Sequence, residues 1–382
     1  MTGKERVRAA LDGRPVDRAP VAAVYAHLYD QDHFSELTGL PAWRYAEWEA
    51  ADPETHARLF ARIRERAPFD ILQPQYFAPA RAWRERQEFL ERDGVPFRHD
   101  RETGEWTPLR NPAPGEHASL YRANHEARVR SIAEIPDAMP ITPAAQQIAN
   151  GSNDQFDALV RQFGREHYIM TGGVIGTLYS CHWQTGLENL YALLHDDPAL
   201  VEALSERVLA HNIESIRTLA AAGGDAIFID DANAGGDVIS RAMYRRFCLP
   251  YMREMVAEIH RLKHQAVVTY FGAVMDRLED IAETGADGFT YEASMKGYTN
   301  DTAEIARCVG DRMTLFANID PIAVLQNADD GALDAEILRQ LDAARPARGF
   351  VLCTGSPITP RTPLSRVRRY IERGRELGAA RD

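Results

Sequence analysis

Apolar positions along the chain alternate between two rhythms. Leu200, Leu204 and Val208, then Leu209, Ile213, Ile216 and Ala220, recur at three- and four-residue steps, which marks one apolar face of a helix over about 198–222. Asp196 and Asp197 offer cap oxygens before it, Pro198 suits its first turn, and Gly223 and Gly224 can end it. The run DAIFID follows directly, apolar inside and bounded by carboxylates. Ser240 caps a further helix, broken or kinked at Pro250, where the backbone lacks an amide proton. QAVVTYF, DGFTY, MTLFAN and GFVLCT then read as strands, separated by helices near 275–283 and 332–344 and followed by one at 363–377.

Strands that alternate with helices predict a parallel sheet. The N-terminal half keeps the rhythm less tightly, with candidate strands at 21–27, 69–74 and 167–172. About eight parallel strands predict one closed (β/α)8 barrel spanning residues 1–382. Residues 89–109 break the pattern: Asp93-Gly94 and Thr103-Gly104 are turn signals between short mixed runs. They predict an antiparallel hairpin inserted near residues 85–110. No Gly-x-Gly-x-x-Gly follows any strand, which counts against a dinucleotide fold.

Composition narrows the classes of partner. Against 44 Lys+Arg stand 56 Asp+Glu, a formal net charge of −12, so nucleic acid is not an expected partner. No apolar run approaches the roughly 20 residues of a membrane span. The first residues carry charges where a signal peptide has its apolar stretch, so a cytoplasmic location is expected. Cys181, Cys248, Cys308 and Cys353 are far apart, which excludes a zinc ribbon and makes a disulfide framework unexpected.

In such barrels the chemistry sits at the C-terminal strand ends and the loops after them. The strongest candidate there is Asp230-Asp231. Two carboxylates this close raise each other's energy unless a ligand, a cation or a proton relieves them; capping or an ion pair with Arg241, Arg245 or Arg246 is the structural alternative. His182 in GTLYSCHWQTG is a candidate acid, base or ligand, beside Tyr179, and a core position beside Trp183 is its alternative. His27, Gln75, Tyr76, Tyr270, Glu292, Asn318 and Ser356 also fall at or just after predicted strand ends. Tyr76, Trp83, Trp106 and Trp183 are candidate pocket aromatics or core residues.

KERVRAALDGRPVDRAPV, DDPALVEALSERV, AAGGDAIFIDDANAGGD, AETGADGF, CVGDRMTLFANIDP and GFVLCTGSPITPRTPL, in that order, resemble the uroporphyrinogen decarboxylase superfamily. The resemblance covers nearly the whole chain, least well over about 75–143. It implies a (β/α)8 barrel and one of two chemistries: metal-free decarboxylation, or zinc-dependent methyl transfer involving a corrinoid. This chain departs from both patterns. Where the decarboxylases carry Arg-Gln-Ala-Gly-Arg, whose arginines hold substrate carboxylates, it has Tyr25-Ala26-His27-Leu28-Tyr29. Bidentate Arg–carboxylate pairing is not replaced by His or Tyr, so a four-acetate tetrapyrrole is not the expected substrate. Asp70 in FDILQP resembles the decarboxylases' catalytic Asp, and His182 stands four residues before a Gly, as their active-site Tyr does. The methyltransferases' His-x-Cys-Gly is here Thr269-Tyr270-Phe271-Gly272, and their Thr-Gly-Cys is Thr354-Gly355-Ser356, so the usual zinc ligands are missing. His27, His182, Asp230, Asp231 and Glu292 are the donors from which any other metal site would have to be built.

The expected function is methyl transfer between a small methylated substrate, with an aromatic one among the candidates, and a corrinoid carried by a partner protein. In it Asp230 and Asp231 act on the leaving group, and Tyr270, His182 and Glu292 line the pocket. The alternatives are a metal-free decarboxylase or lyase using Asp70 or the Asp pair, and a non-catalytic binding barrel. A homodimer is left open.

Overall fold

The computed structural model describes residues 1–74, 77–113, 115 and 127–379. Seven parallel strands run in the order β1 (Ile71–Leu72), β5 (Tyr168–Ile175), β6 (Ala226–Asp230), β7 (Gln265–Tyr270), β8 (Gly288–Tyr291), β9 (Thr314–Ile319) and β10 (Phe350–Thr354). The chain before β1 closes the curl. Val21 bridges Leu352 of β10, and Leu352 donates to the Pro20 carbonyl at 2.9 Å. On the other side the Asp70 amide donates to the Val21 carbonyl at 2.9 Å. The result is the predicted TIM-barrel-like α/β fold.

Side-chain parity divides the sheet. Met170, Phe228, Val267, Phe316, Val351 and Cys353 cluster inside the barrel, and Val7 and Leu11 of the helix Gly3–Leu11 close its N-terminal end. Ile227, Ile229, Val268, Tyr270, Phe289 and Leu315 face the surrounding helices instead. The longest of these, Pro198–Ala221, starts where the Asp197 side chain accepts from the Leu200 amide at 3.1 Å, and it buries Leu200, Leu204, Val208 and Ile216. The predicted break at Pro250 is a junction at Cys248 between the helices Arg241–Phe247 and Leu249–Arg261.

Two expectations change. Residues 21–27 do not form a strand: Tyr25 turns left-handed at φ 50°, and the helix Ala26–Asp32 begins beyond it, so His27 lies on a helix. The insertion is a three-stranded antiparallel sheet, β2 (Gln87–Arg92), β3 (Val95–Asp100) and β4 (Trp106–Pro108). Both turn signals act as read, since Asp93, Gly94 and Gly104 all take positive φ.

The barrel's N-terminal end is held by ion pairs. Asp70, directly before β1, meets Arg18 at 2.7 Å and Arg6 at 3.2 Å, and Asp225, directly before β6, meets Arg8 at 2.8 Å and Lys4 at 3.0 Å. Among the described residues no helix is long and apolar enough to cross a membrane.

Candidate functional site

The sheet register brings polar side chains together at the C-terminal mouth. Asp230 ends β6 and pairs with Thr269 of β7, which pairs with Thr290 of β8 and, through it, with Phe316 of β9. These residues share the interior face, and Glu292 and Asn318 stand one pleat nearer the mouth. Backbone bonds carry the ladder past the strand end: Gly176 donates to the Asp230 carbonyl at 2.6 Å, and Asp231 donates to that of Thr269 at 2.8 Å.

Both aspartates are buried. The Tyr25 hydroxyl donates to Asp230 Oδ2. Its ring stands edge-on to Phe228 at 5.3 Å and to His27 at 5.4 Å, and it stacks on Phe271 at 6.1 Å. The left-handed turn at Tyr25 aims that ring into the barrel, and the Tyr25 amide donates to Gln73 Oε1 at 3.1 Å. Asp231 takes the other direction. Its Oδ1 lies so close to Gly176 that a Cβ there would meet it at 2.3 Å.

Burial pushes the Asp230 carboxyl up to about 7, against the Tyr25 hydroxyl and the Ala232 amide, which favour its ionised form. Burial and the neighbouring Asp230 push Asp231 up to about 7 as well, against Arg277. Arg277 acts on Asp231 only through space. Its guanidinium donates to the carbonyls of Ala234 at 2.6 Å and Ile239 at 2.8 Å, and it pairs with Asp276 at 2.8 Å, which ties the loop after β6 to the chain after β7. Several buried polar atoms near the mouth have no hydrogen-bond partner among the described residues: Asp231 Oδ2, Thr269 Oγ1, Asn318 Oδ1 and Gln73 Nε2. Buried polar groups are nearly always satisfied, so such a group marks a place for a ligand or ordered water.

Glu292 organises the opposite rim. Lys296 pairs with it at 2.8 Å, Ser356 Oγ donates to it at 3.2 Å, and the Tyr298 hydroxyl donates to its second oxygen. Two predicted residues, Glu292 and Ser356, are therefore in direct contact. Asn318 is on the interior face of β9, where a Cβ on Gly355 would meet its Oδ1 at 2.2 Å. His182 and Tyr179 share the helix Thr177–Thr185, which follows Gly176. Their rings stack at 4.6 Å, Trp183 tilts against His182 at 4.5 Å, and His182 Nδ1 meets the Tyr179 carbonyl.

Two predicted placements, those of Tyr270 and Asp70, are corrected. Tyr270 points out of the barrel into the helix layer, where its hydroxyl meets that of Tyr244 at 2.7 Å. It lies behind Asp231 and does not line the mouth. Asp70 sits at the opposite end of the barrel, held by Arg6, Arg18 and the Val21 amide. Trp83 and Trp106 belong to the inserted sheet and its flank, under Arg98 and Arg92. Gln75 and Tyr76 lie outside the described residues. Sequence reading missed Tyr25, Phe228, Phe271 and Gly176 as parts of this site. The one available signal was Tyr25 itself, which stands where the decarboxylases carry an arginine.

The donor set at the mouth does not suit zinc. Thr269, Phe271 and Ser356 supply no thiolate or imidazole, and burial pushes the Cys353 thiol up to about 12, so it is not an anion near neutral pH. Among the described residues no three His, Cys, Asp or Glu side chains converge as a metal-binding group. The residues present do not fit the zinc site of the methyltransferase branch.

A parallel barrel with an acid pair at its C-terminal mouth has its candidate site where barrel enzymes carry theirs. The model of the family described as Uroporphyrinogen decarboxylase (URO-D) matches residues 171–377, more than half of the chain, which belongs to that family. The chain is similar to the uroporphyrinogen decarboxylase of Alkalilimnicola ehrlichii, 25% identical over 94% of this chain and 90% of that protein. It is 28% identical to that of Pseudomonas aeruginosa over 66% of this chain and 70% of that protein. Its match to the Coxiella burnetii protein, at 26% identity, covers 47% of this chain and 48% of that one, so it spans about half the length of some curated relatives. Among solved structures it resembles a methyltransferase from Methanosarcina mazei, with a TM-score of 0.68, 20% identity, and coverage of 98% of this chain and 99% of that one. At that identity the likeness is one of fold.

Proposed function

We propose that this chain is an enzyme that moves a methyl group between a small methylated substrate and a corrinoid carried by a partner protein, with Asp230 and Asp231 as its general acid. The observation that carries this reading is the buried pair itself: two adjacent carboxylates at the barrel mouth, one held by the Tyr25 hydroxyl, with burial pushing both up to about 7. A carboxylic acid that keeps its proton near neutral pH can hand it to a leaving heteroatom as the bond to the methyl carbon opens. Tyr25 orients Asp230, Gly176 leaves room for Asp231, and the rings of Phe228 and Phe271 keep water from the pair. The corrinoid enters as the methyl-accepting co-substrate.

A decarboxylase or lyase is the second reading, favoured by the names of the curated relatives. The charge at the mouth speaks against a polycarboxylate substrate. Asp230, Asp231 and Glu292 are acids, Lys296 is taken by Glu292, and Arg277 by backbone carbonyls and Asp276. The test is a pair of assays on purified protein: methylation of a reduced corrinoid from methylated phenols and amines, and carbon dioxide release from uroporphyrinogen and small acids. Corrinoid methylation that declines as pH rises through about 7, with the decline moved to higher pH in Tyr25→Phe, is expected, because that substitution removes a bond that lowers the Asp230 value. Carbon dioxide release without corrinoid methylation would replace the first reading by the second.

A further inference from the structure

We infer that the substrate taken at this mouth is a methylated amine, held as its ammonium ion between the Asp230–Asp231 pair and the aromatic rings of Tyr25 and Phe271. The inference rests on the methyl-transfer reading and names its substrate class. Three independent observations meet in it.

The first is charge. The two aspartates are consecutive and both buried, Asp230 against Tyr25 and Asp231 against Gly176, and no ion pair among the described residues neutralises them; Lys296 is held by Glu292 and Arg277 by Asp276. The second is unmet hydrogen bonding. Asn318 Oδ1 is an acceptor only, Asp231 Oδ2 accepts once the carboxyl has given up its proton, Thr269 Oγ1 can accept, and Gln73 Nε2 is the one pure donor in the group. Thr269 and Asn318 are buried and face the interior on β7 and β9. A ligand that satisfies this set brings N–H donors or positive charge. An ether oxygen brings neither. The third is the wall. Tyr25, Phe228, Phe271 and His27 stand on one side of Asp230. Tyr179, His182 and Trp183 stand on the helix that begins beside Asp231. The negative faces of aromatic rings attract ammonium groups, and desolvated carboxylates do so more strongly.

The chemistry closes on the same residues. A neutral methylated amine enters, its nitrogen lone pair takes the proton held by the carboxyl pair, and an N–H bond replaces an O–H bond. Ammonium then faces carboxylate. When the methyl passes to the carrier's nucleophile, which supplies the pair for the new bond, the C–N bonding pair stays on nitrogen and the product leaves as a neutral amine. The carboxyl pair regains its proton from water.

Calorimetric titration at about pH 7 tests this without any turnover. The probes are phenyltrimethylammonium, which is permanently charged, and its neutral carbon isostere tert-butylbenzene, each in two buffers of different ionisation heat. The cation is expected to bind at least tenfold tighter than the isostere and to expel a fraction of a proton, because it drives the carboxyl pair to ionise. Tyr25, His27, Tyr179, His182, Tyr244, Tyr270, Cys248 and Arg277 are the other ionisable groups around the pair. A histidine ordinarily titrates near neutrality, so proton release must persist in His27→Gln and in His182→Gln and vanish in the double variant Asp230→Asn, Asp231→Asn. Equal binding of the isostere, or cation binding with no proton release in the wild-type chain, overturns the inference. Corrinoid methylation from aryl ethers without cation binding overturns it and leaves the methyl-transfer reading standing. Cation binding with proton release but no methyl transfer from any amine does the reverse.

Discussion

Asp230→Asn isolates the energetic consequence of a buried carboxyl at a working site. Asparagine keeps the shape and still offers Tyr25 an acceptor, but it cannot ionise. Below about pH 4 Asp230 is protonated in both folded and unfolded chains, so the substitution changes little there. Between about pH 4 and 7 the unfolded carboxyl ionises while the folded one keeps its proton, so unfolding releases a proton and wild-type stability falls as pH rises. Above about 7 the folded group ionises as well and the loss levels off. A rise from 3.8 to about 7, at about 1.4 kcal/mol per pH unit, sets a ceiling of about 4 kcal/mol. Asp230→Asn should therefore be more stable than wild type at about pH 8, by roughly 2–4 kcal/mol, with the gain gone at about pH 4. Urea unfolding at both pH values, followed by the fluorescence of the five tryptophans and by circular dichroism, measures the difference. An equal gain at the two pH values, or a less stable variant at pH 8, would refute the claim that Asp230 is held in the fold at the expense of its ionisation.

Two further outcomes test the assignment of the two barrel ends. Asp70→Asn leaves Arg18 without its carboxylate and Arg6 with Asp17 alone, and breaking a buried ion pair costs about 3–5 kcal/mol. Urea unfolding should register that loss while activity per folded molecule is unchanged; a fully stable but inactive variant would return Asp70 to the site. Gly176→Ala places a Cβ 2.3 Å from Asp231 Oδ1 and 2.9 Å from its carboxyl carbon, although the φ of −54° at Gly176 suits any residue. Overpacking of this kind costs about 1–3 kcal/mol, and displacement of Asp231 should cut the rate of corrinoid methylation at least tenfold; a rate within twofold of wild type would remove Asp231 from the proposed acid pair.

Much of the site was legible because its parts are local. DAIFIDD reads as a strand that ends in acids, and a parallel barrel puts such an end at the mouth. The positions of Glu292, Asn318 and Ser356 follow in the same way. Which way each strand residue points was not legible. QAVVTY is buried on both faces, as parallel strands are, so its sequence lacks the alternation that would tell Thr269, which faces in, from Tyr270, which faces the helices. Asp70 was misplaced for a related reason. FDIL does not say that its strand is only the two residues Ile71 and Leu72, which leaves Asp70 before the strand and at the other end of the barrel.

The sequence by itself determined the succession of strands and helices, the family, the acid pair and the absence of thiolate and imidazole at the zinc positions. These depend on apolar periodicity, caps, turn residues and residue identity, all of which act over a few neighbouring positions. Tertiary structure alone decided that Tyr25 reaches Asp230 across 205 positions of chain and that Asp70 belongs to Arg6 and Arg18. It also decided that Ser356 meets Glu292 and that the rings of Phe228 and Phe271 close around Tyr25. Closing the sheet brings residues from different strands into contact, and no local preference along the chain encodes which ones will meet.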